Sequence, residues 1–179
     1  MFINYLKENR EFLEDKNPLE RYCEMFIVKE TEGECNKNDL KFSVHFSHHT
    51  GDKLVAFQKL THTSGLAFFS KEAFLNIHTQ YGPWFALRAA IVFDSSLPES
   101  FSLPEAINPL SQEESIRLQN IFEQTLEYHK QHPNDKTTWK KWLELRDSVS
   151  VGVDHRYFEE QALYHYTSDF ELLRDIVNK

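Results

Sequence analysis

The sequence predicts an α+β fold on three observations. Strand-period and helix-period segments are mixed in the first half of the chain, whereas everything beyond residue 110 reads as helix. No strand–helix–strand alternation of the kind that builds a parallel sheet runs through it. A chain of 179 residues with 40% apolar and 14% aromatic positions can fill one core, so a single domain over residues 1–179 is expected.

Taken in order, Phe2, Tyr5, Leu6 and Phe12 recur at helical spacing and predict a helix over residues 2–14. Asn17-Pro18 is a helix start, a cap residue followed by a proline whose missing N–H is not needed there. Leu19, Tyr22, Cys23, Phe26 and Ile27 continue that helix toward Gly33, where it is expected to end. Leu40, Phe42, Val44 and Phe46 alternate with polar residues, the period of a half-buried strand over 40–47. After a turn at Thr50-Gly51-Asp52, Leu54, Val55, Phe57 and Leu60 predict a short helix stopping at Gly65.

The aromatic segment from Phe68 to Phe93 predicts strands at 72–79 and 84–93 joined through Tyr81-Gly82-Pro83. With 40–47 they would make one small antiparallel sheet packed against the helices. The stretch SSLPESFSLPEAINP, from Ser95 to Pro109, is a loop and the one candidate internal boundary. Ser111 and Glu114 form a capping-box signature ahead of a helix to Gln131, and Ser168 with Glu171 repeats it for the last helix. Helices near 136–148 and 155–166 lie between.

Composition excludes several functions. A formal net charge of −8 disfavours non-specific nucleic-acid binding, since a phosphate backbone rewards a basic surface. No apolar run reaches the ~20 residues of a membrane helix, and MFINYLKENREFLEDK is too charged for a signal peptide, so a cytoplasmic protein is expected. Cys23 and Cys35 offer neither a CxxC pair nor a four-thiolate zinc site. GxSxG, GxxxxGK[ST] and GxGxxG are all missing from the sequence. Of nine histidines, His45, His48 and His49 lie closest, with His62 and His78 further on. Without a fixed-spacing motif they are read as solvated or internally satisfied, with no metal on protein side chains.

Two arginines stand out. Arg88 closes the apolar run after Tyr81-Gly82-Pro83-Trp84-Phe85, and a guanidinium there must either face a pocket or pair with an acid of the helical half. Both readings stand. In Trp139-Lys140-Lys141-Trp142-Leu143-Glu144-Leu145-Arg146-Asp147, helical spacing puts Trp139, Trp142 and Arg146 on one face, with Arg146 and Asp147 a candidate solvated pair.

These segments carry a resemblance. IHxxYGxWFALR, preceded by His62-Thr63-Ser64-Gly65-Leu66-Ala67-Phe68-Phe69 and followed by WxxWxxxRD and Arg156-Tyr157-Phe158-Glu159-Glu160-Gln161, resembles the CblC family of vitamin B12 processing proteins, named for methylmalonic aciduria and homocystinuria type C. The likeness runs from Met1 to about Tyr166, and more loosely extends to epoxyqueuosine reductases and reductive dehalogenases. It implies a nitroreductase-like fold and a cytosolic protein that binds cobalamin and removes its upper axial ligand. Dealkylation would use glutathione as nucleophile, and reductive decyanation would use reduced flavin, FMN or FAD. By the same resemblance His62, Gly65, Gly82, Trp84, Phe85 and Tyr157 would contact the corrinoid, and Arg88 and Arg146 would hold the glutathione carboxylates, for which a guanidinium fork is suited. No catalytic side chain is assigned, because cobalt and corrin supply the difficult chemistry.

The chain departs from the family at four places. It is short at the N-terminus, it has Phe68, Phe69 and Ser70 where the family has a tyrosine run, its loop from Ser70 to Ile77 is brief, and Arg174 is out of register with a third arginine. A sheet edge uncovered by the short N-terminus fits a homodimer, and a downstream cobalamin-trafficking protein is the expected partner. Two alternatives come from other classes: a non-catalytic cobalamin carrier or adaptor, and a flavin reductase of nitroreductase type.

Overall fold

The computed structural model describes residues 2–179. Its elements are α1 (Phe2–Glu8), α2 (Pro18–Asn38), β1 (Phe42–Phe46), α3 (Phe57–Thr63), β2 (Phe68–Ser70), β3 (Leu75–Ile77), β4 (Ala89–Phe93), α4 (Gln112–Gln131), α5 (Trp139–Asp147), α6 (Glu159–Thr167) and α7 (Phe170–Asn178). Short 3-10 turns lie at Arg10–Glu14, Gly51–Lys53 and Val153–His155. The α+β class is as expected. No helix among the described residues is long and apolar enough to cross a membrane.

The chain forms two compact units. The first comprises Met1–Val55, Leu87–Phe101 and Ser168–Lys179, the second Ala56–Ala86 and Ser102–Thr167.

In the first unit β1 pairs antiparallel with β4, from Phe42 opposite Phe93 to Phe46 opposite Ala89. Leu6 of α1 is fully buried, and Tyr5 sits edge-on to Phe12 at 5.0 Å and beside Tyr22 at 5.0 Å. The expected helix over 2–14 is broken at Asn9. That side chain donates to the Tyr5 carbonyl at 2.9 Å, as does its own N–H, and the helix re-forms only as a 3-10 turn. Pro18 takes the first position of α2 as expected, but Gly33 does not end it. The helix runs on to Asn38 and closes on Asp39 in the left-handed conformation, φ 51°, whose N–H returns to the Cys35 carbonyl. Gly33 lies on the solvent face with nothing within 4 Å of where a Cβ would stand. Gly33→Ala is therefore expected to stabilise the first unit by about 0.5–1 kcal/mol, read as a raised midpoint in urea unfolding with an unchanged slope.

Two corrections concern pairing and capping. Strands 72–79 and 84–93 were expected to pair with each other, and they do not. The part of 72–79 that is strand, β3, pairs antiparallel with β2, Phe68 opposite Ile77, and β4 pairs with β1. Pro83 cannot donate to a ladder, and Trp84, 5% exposed, is drawn into the helical core, so residues 84–88 form no strand. At the last helix Ser168 adopts φ 51° instead of capping, and the Asp169 carboxylate accepts from the Leu172 N–H at 3.0 Å.

The second unit packs the β2–β3 hairpin with α4 and α5 around Ile77, Leu118, Leu145 and Val149, each no more than 3% exposed, while α3 lies against β2 and β3 and Ala162 of α6 packs with Trp84 and Leu143. At the start of α4 the capping box is complete: the Glu114 N–H donates to Ser111 Oγ at 3.1 Å and the Ser111 N–H to Glu114 Oε2 at 3.0 Å. The other Glu114 oxygen accepts from the Ser150 hydroxyl and, at 3.3 Å, from its N–H. The Ser150 hydroxyl foremost, then the Ser111 N–H, holds this carboxyl down at about 2 from an ordinary 4.5. A carboxylate lowered on folding stabilises the native state above its unfolded value, and that gain is lost as pH falls toward the folded value. Solvent screening of this surface carboxylate discounts the full shift, so the second unit is expected to lose about 1–2 kcal/mol between pH 5 and pH 2 through Glu114, and Glu114→Gln should flatten this part of the stability–pH curve measured by urea unfolding.

Candidate functional site

Within the second unit three of the four segments that carry the resemblance come together. Arg146, in the last turn of α5, donates through Nη1 to the carbonyl of Pro83. Arg156 grips Asp147 with two parallel bonds, 2.6 Å from Nε and 3.0 Å from Nη2, and its guanidinium lies 5.6 Å from the Trp84 ring centroid. Asp147 thus pairs with Arg156 and not with its neighbour Arg146. Trp84 in turn meets Tyr157 edge-on at 5.6 Å and packs with Leu143 and Ala162. YGPW, LRD and RYFEEQ are therefore joined by two guanidiniums.

Two glycines let these loops approach. Gly82 has φ 55°, and a Cβ there would stand 1.8 Å from the Val151 carbonyl oxygen. Gly152, φ 80°, faces it from the other loop, its Cβ position 2.2 Å from the Tyr81 carbonyl carbon. The turn itself is set by His78, whose Nδ1 accepts from the N–H groups of Gln80 at 3.0 Å and Tyr81 at 3.2 Å.

Beside Arg146 lies a cavity of about 310 Å³ lined by Ala73, Phe74, Leu75, Phe122, Leu126, Trp142, Leu145, Arg146 and Tyr166. Its walls are apolar and its one charge is the guanidinium. Burial raises the Tyr166 phenol above its ordinary value, and Arg146, by charge and hydrogen bond, pulls against that. Phe74 forms part of the wall in an uncommon backbone state for a bulky residue, φ 49°. It is held there by Gln58 Nε2 on its carbonyl at 2.7 Å and by stacking on Phe122 at 5.9 Å. Such a cavity suits a small ligand with an apolar body and an anionic end.

The remaining sequence-predicted residues have definite settings. His62 Nδ1 accepts from the Phe69 N–H at 3.3 Å, which ties α3 to β2 and places any single ring proton on Nε2. Gly65, φ 73°, stops α3 as expected, and the chain it admits is Pro104, whose carbonyl oxygen lies 2.5 Å from the Cβ position. Trp84 is core, Phe85 is half-buried against His78 at 5.9 Å, and Tyr157 stacks on His165 at 5.0 Å. Arg88 belongs to the first unit. Its carbonyl accepts from the Ser47 N–H at 2.9 Å, its side chain is half-buried, and its guanidinium pairs with no carboxylate among the described residues. Its charge instead bears on Cys23, whose thiol burial raises and Arg88 lowers. Both cysteines are free.

Phe74, Phe122 and Tyr166 are cavity residues that sequence reading misses. Only the aromatic density after Phe68 signals the first of them, and nothing local links it to α4 or α6. The chain matches no protein-family model and no curated protein.

Proposed function

We propose that this protein binds a corrinoid and removes its upper axial ligand, as its resemblance to the CblC family implies. The observation that supports the reading is the joining of three of the four resemblance-bearing segments through Arg146 on the Pro83 carbonyl and Arg156 on Asp147 and Trp84. In this reading Arg146, at the rim of an apolar cavity of about 310 Å³, receives a carboxylate of the thiol co-substrate. That volume suits glutathione or an axial ligand and not a whole corrin ring. The thiolate attacks the cobalt-bound alkyl carbon, a carbon–sulfur bond forms, and the cobalt–carbon electron pair leaves with cobalt. The protein's part is to hold sulfur, carbon and cobalt in line and keep water away. A nitroreductase-like arrangement, a cytoplasmic setting, a homodimer and a corrinoid-accepting partner belong to the same proposal.

Turnover assays test it. Methylcobalamin should lose its methyl group only with both chain and glutathione present, and cyanocobalamin its cyanide only with chain and reduced flavin. Binding without either reaction would make the chain a carrier, and a chain that purifies yellow and ignores corrinoids would be a flavin reductase.

A further inference from the structure

The turn after β1 builds a second site in the first unit, remote in sequence from the segments above. His48 and His49 leave the strand on consecutive positions, the His49 N–H closing the turn on the Phe46 carbonyl at 3.0 Å. Opposite stands Glu24 of α2, whose Oε1 is 2.7 Å from His48 Nε2. One ligand atom from each of Glu24, His48 and His49 lies within 4.8 Å of the others. The rings are packed in place. His48 stacks on the buried Phe46 at 5.7 Å, His49 meets the same ring edge-on at 5.4 Å, and the two imidazoles are 5.2 Å apart.

We propose that Glu24, His48 and His49 bind a divalent transition-metal ion, zinc foremost, with water completing the coordination. Two imidazoles and one carboxylate are a donor set such ions take, and the partial exposure of all three residues leaves an entry path. Tetrahedral zinc with bonds near 2.0–2.1 Å needs ligand atoms about 3.4 Å apart, so the present spread closes by small side-chain rotations. The cation takes the place of the hydrogen between His48 Nε2 and Glu24 Oε1, and a neutral ring then carries its proton on Nδ1. His49 Nδ1 now accepts from the Phe46 N–H at 3.2 Å, and ligation gives that bond up, so binding is weaker than at a fully prearranged site. The bound ion would fasten α2 to the end of β1. Neighbouring charge does not fill the place, since Arg21, one turn earlier on α2, is taken by Asp15 at 2.9 Å.

The test is calorimetric titration of the full chain, free of any histidine tag, with zinc sulfate, and absorbance with cobalt chloride. One equivalent should bind, with cobalt showing intense four-coordinate visible bands. His48→Ala and the conservative Glu24→Gln should each weaken zinc by at least about tenfold and abolish the cobalt bands, while His129→Ala, an exposed histidine on α4, changes neither. Far-UV circular dichroism confirms that the variants fold. No stoichiometric uptake, or uptake that either site variant leaves intact, overturns the proposal.

Discussion

Gly82→Ala is expected to lower the stability of the second unit by about 3 kcal/mol or more. Two costs combine. A left-handed φ of 55° strains any residue with a Cβ by about 1–2 kcal/mol, and the methyl would stand 1.8 Å from the Val151 carbonyl oxygen. Backbone cannot swing aside as a flexible side chain can, so the two loops must part. That withdraws Pro83 from Arg146 and Trp84 from Arg156, the contacts that join the three segments. Gly51→Ala separates the two costs, because Gly51 has φ 62° with nothing within 4 Å of its Cβ position. It should lose only about 1 kcal/mol. Urea unfolding of both variants checks the contrast, and equal losses would mean that the Gly82–Gly152 crossing carries no packing load.

Under the proposed function, in which the family resemblance gives Arg88 a glutathione carboxylate, Arg88→Ala is expected to cut glutathione-dependent dealkylation by about 10- to 100-fold while leaving corrinoid binding unchanged. Losing one charge-assisted hydrogen bond to a carboxylate is worth ~1.5–3 kcal/mol, and each 1.4 kcal/mol is tenfold in rate. Stability should move by no more than about 0.5 kcal/mol, because the guanidinium neutralises no described carboxylate. Arg88→Lys, which keeps the charge and loses the fork, should fall between. A parallel drop in dealkylation, corrinoid binding and unfolding midpoint would assign Arg88 to structure alone.

What could be read from the sequence was local. The Ser111–Glu114 box, the proline opening α2, the glycine stopping α3 and the alternation of β1 each depend on groups a few residues apart, and each stands in the structure. Failures came where a distant group decided. β1 takes β4 as its partner across more than 40 residues, and no local period records that choice. Phe74 turns the β2–β3 hairpin at a positive φ that aromatic residues ordinarily avoid, because Gln58 and Phe122 hold it. Gly33 continues its helix because nothing downstream supplies an earlier end, and Asp39 closes it instead.

The same limit governed the site. Sequence spacing singled out Arg88 in an apolar run and Arg146 on a helix face with two tryptophans, and the structure leaves the first unpaired with any described acid and sets the second beside a cavity. It could not show that Asp147 turns to Arg156, nor that Gly65 is filled by Pro104, since both depend on segments brought in from elsewhere in the chain. Nor could it join Glu24 to His48, 24 positions apart, where only the packing of α2 on β1 makes them neighbours.

The proposed function requires that this chain receive a corrinoid. Absorbance titration of methylcobalamin with the purified protein tests it most directly, because displacement of the lower base from cobalt changes the visible spectrum whether or not any reaction follows. A saturable shift to the base-off spectrum at about micromolar protein is the predicted result. A spectrum that stays base-on to the end of the titration would contradict it.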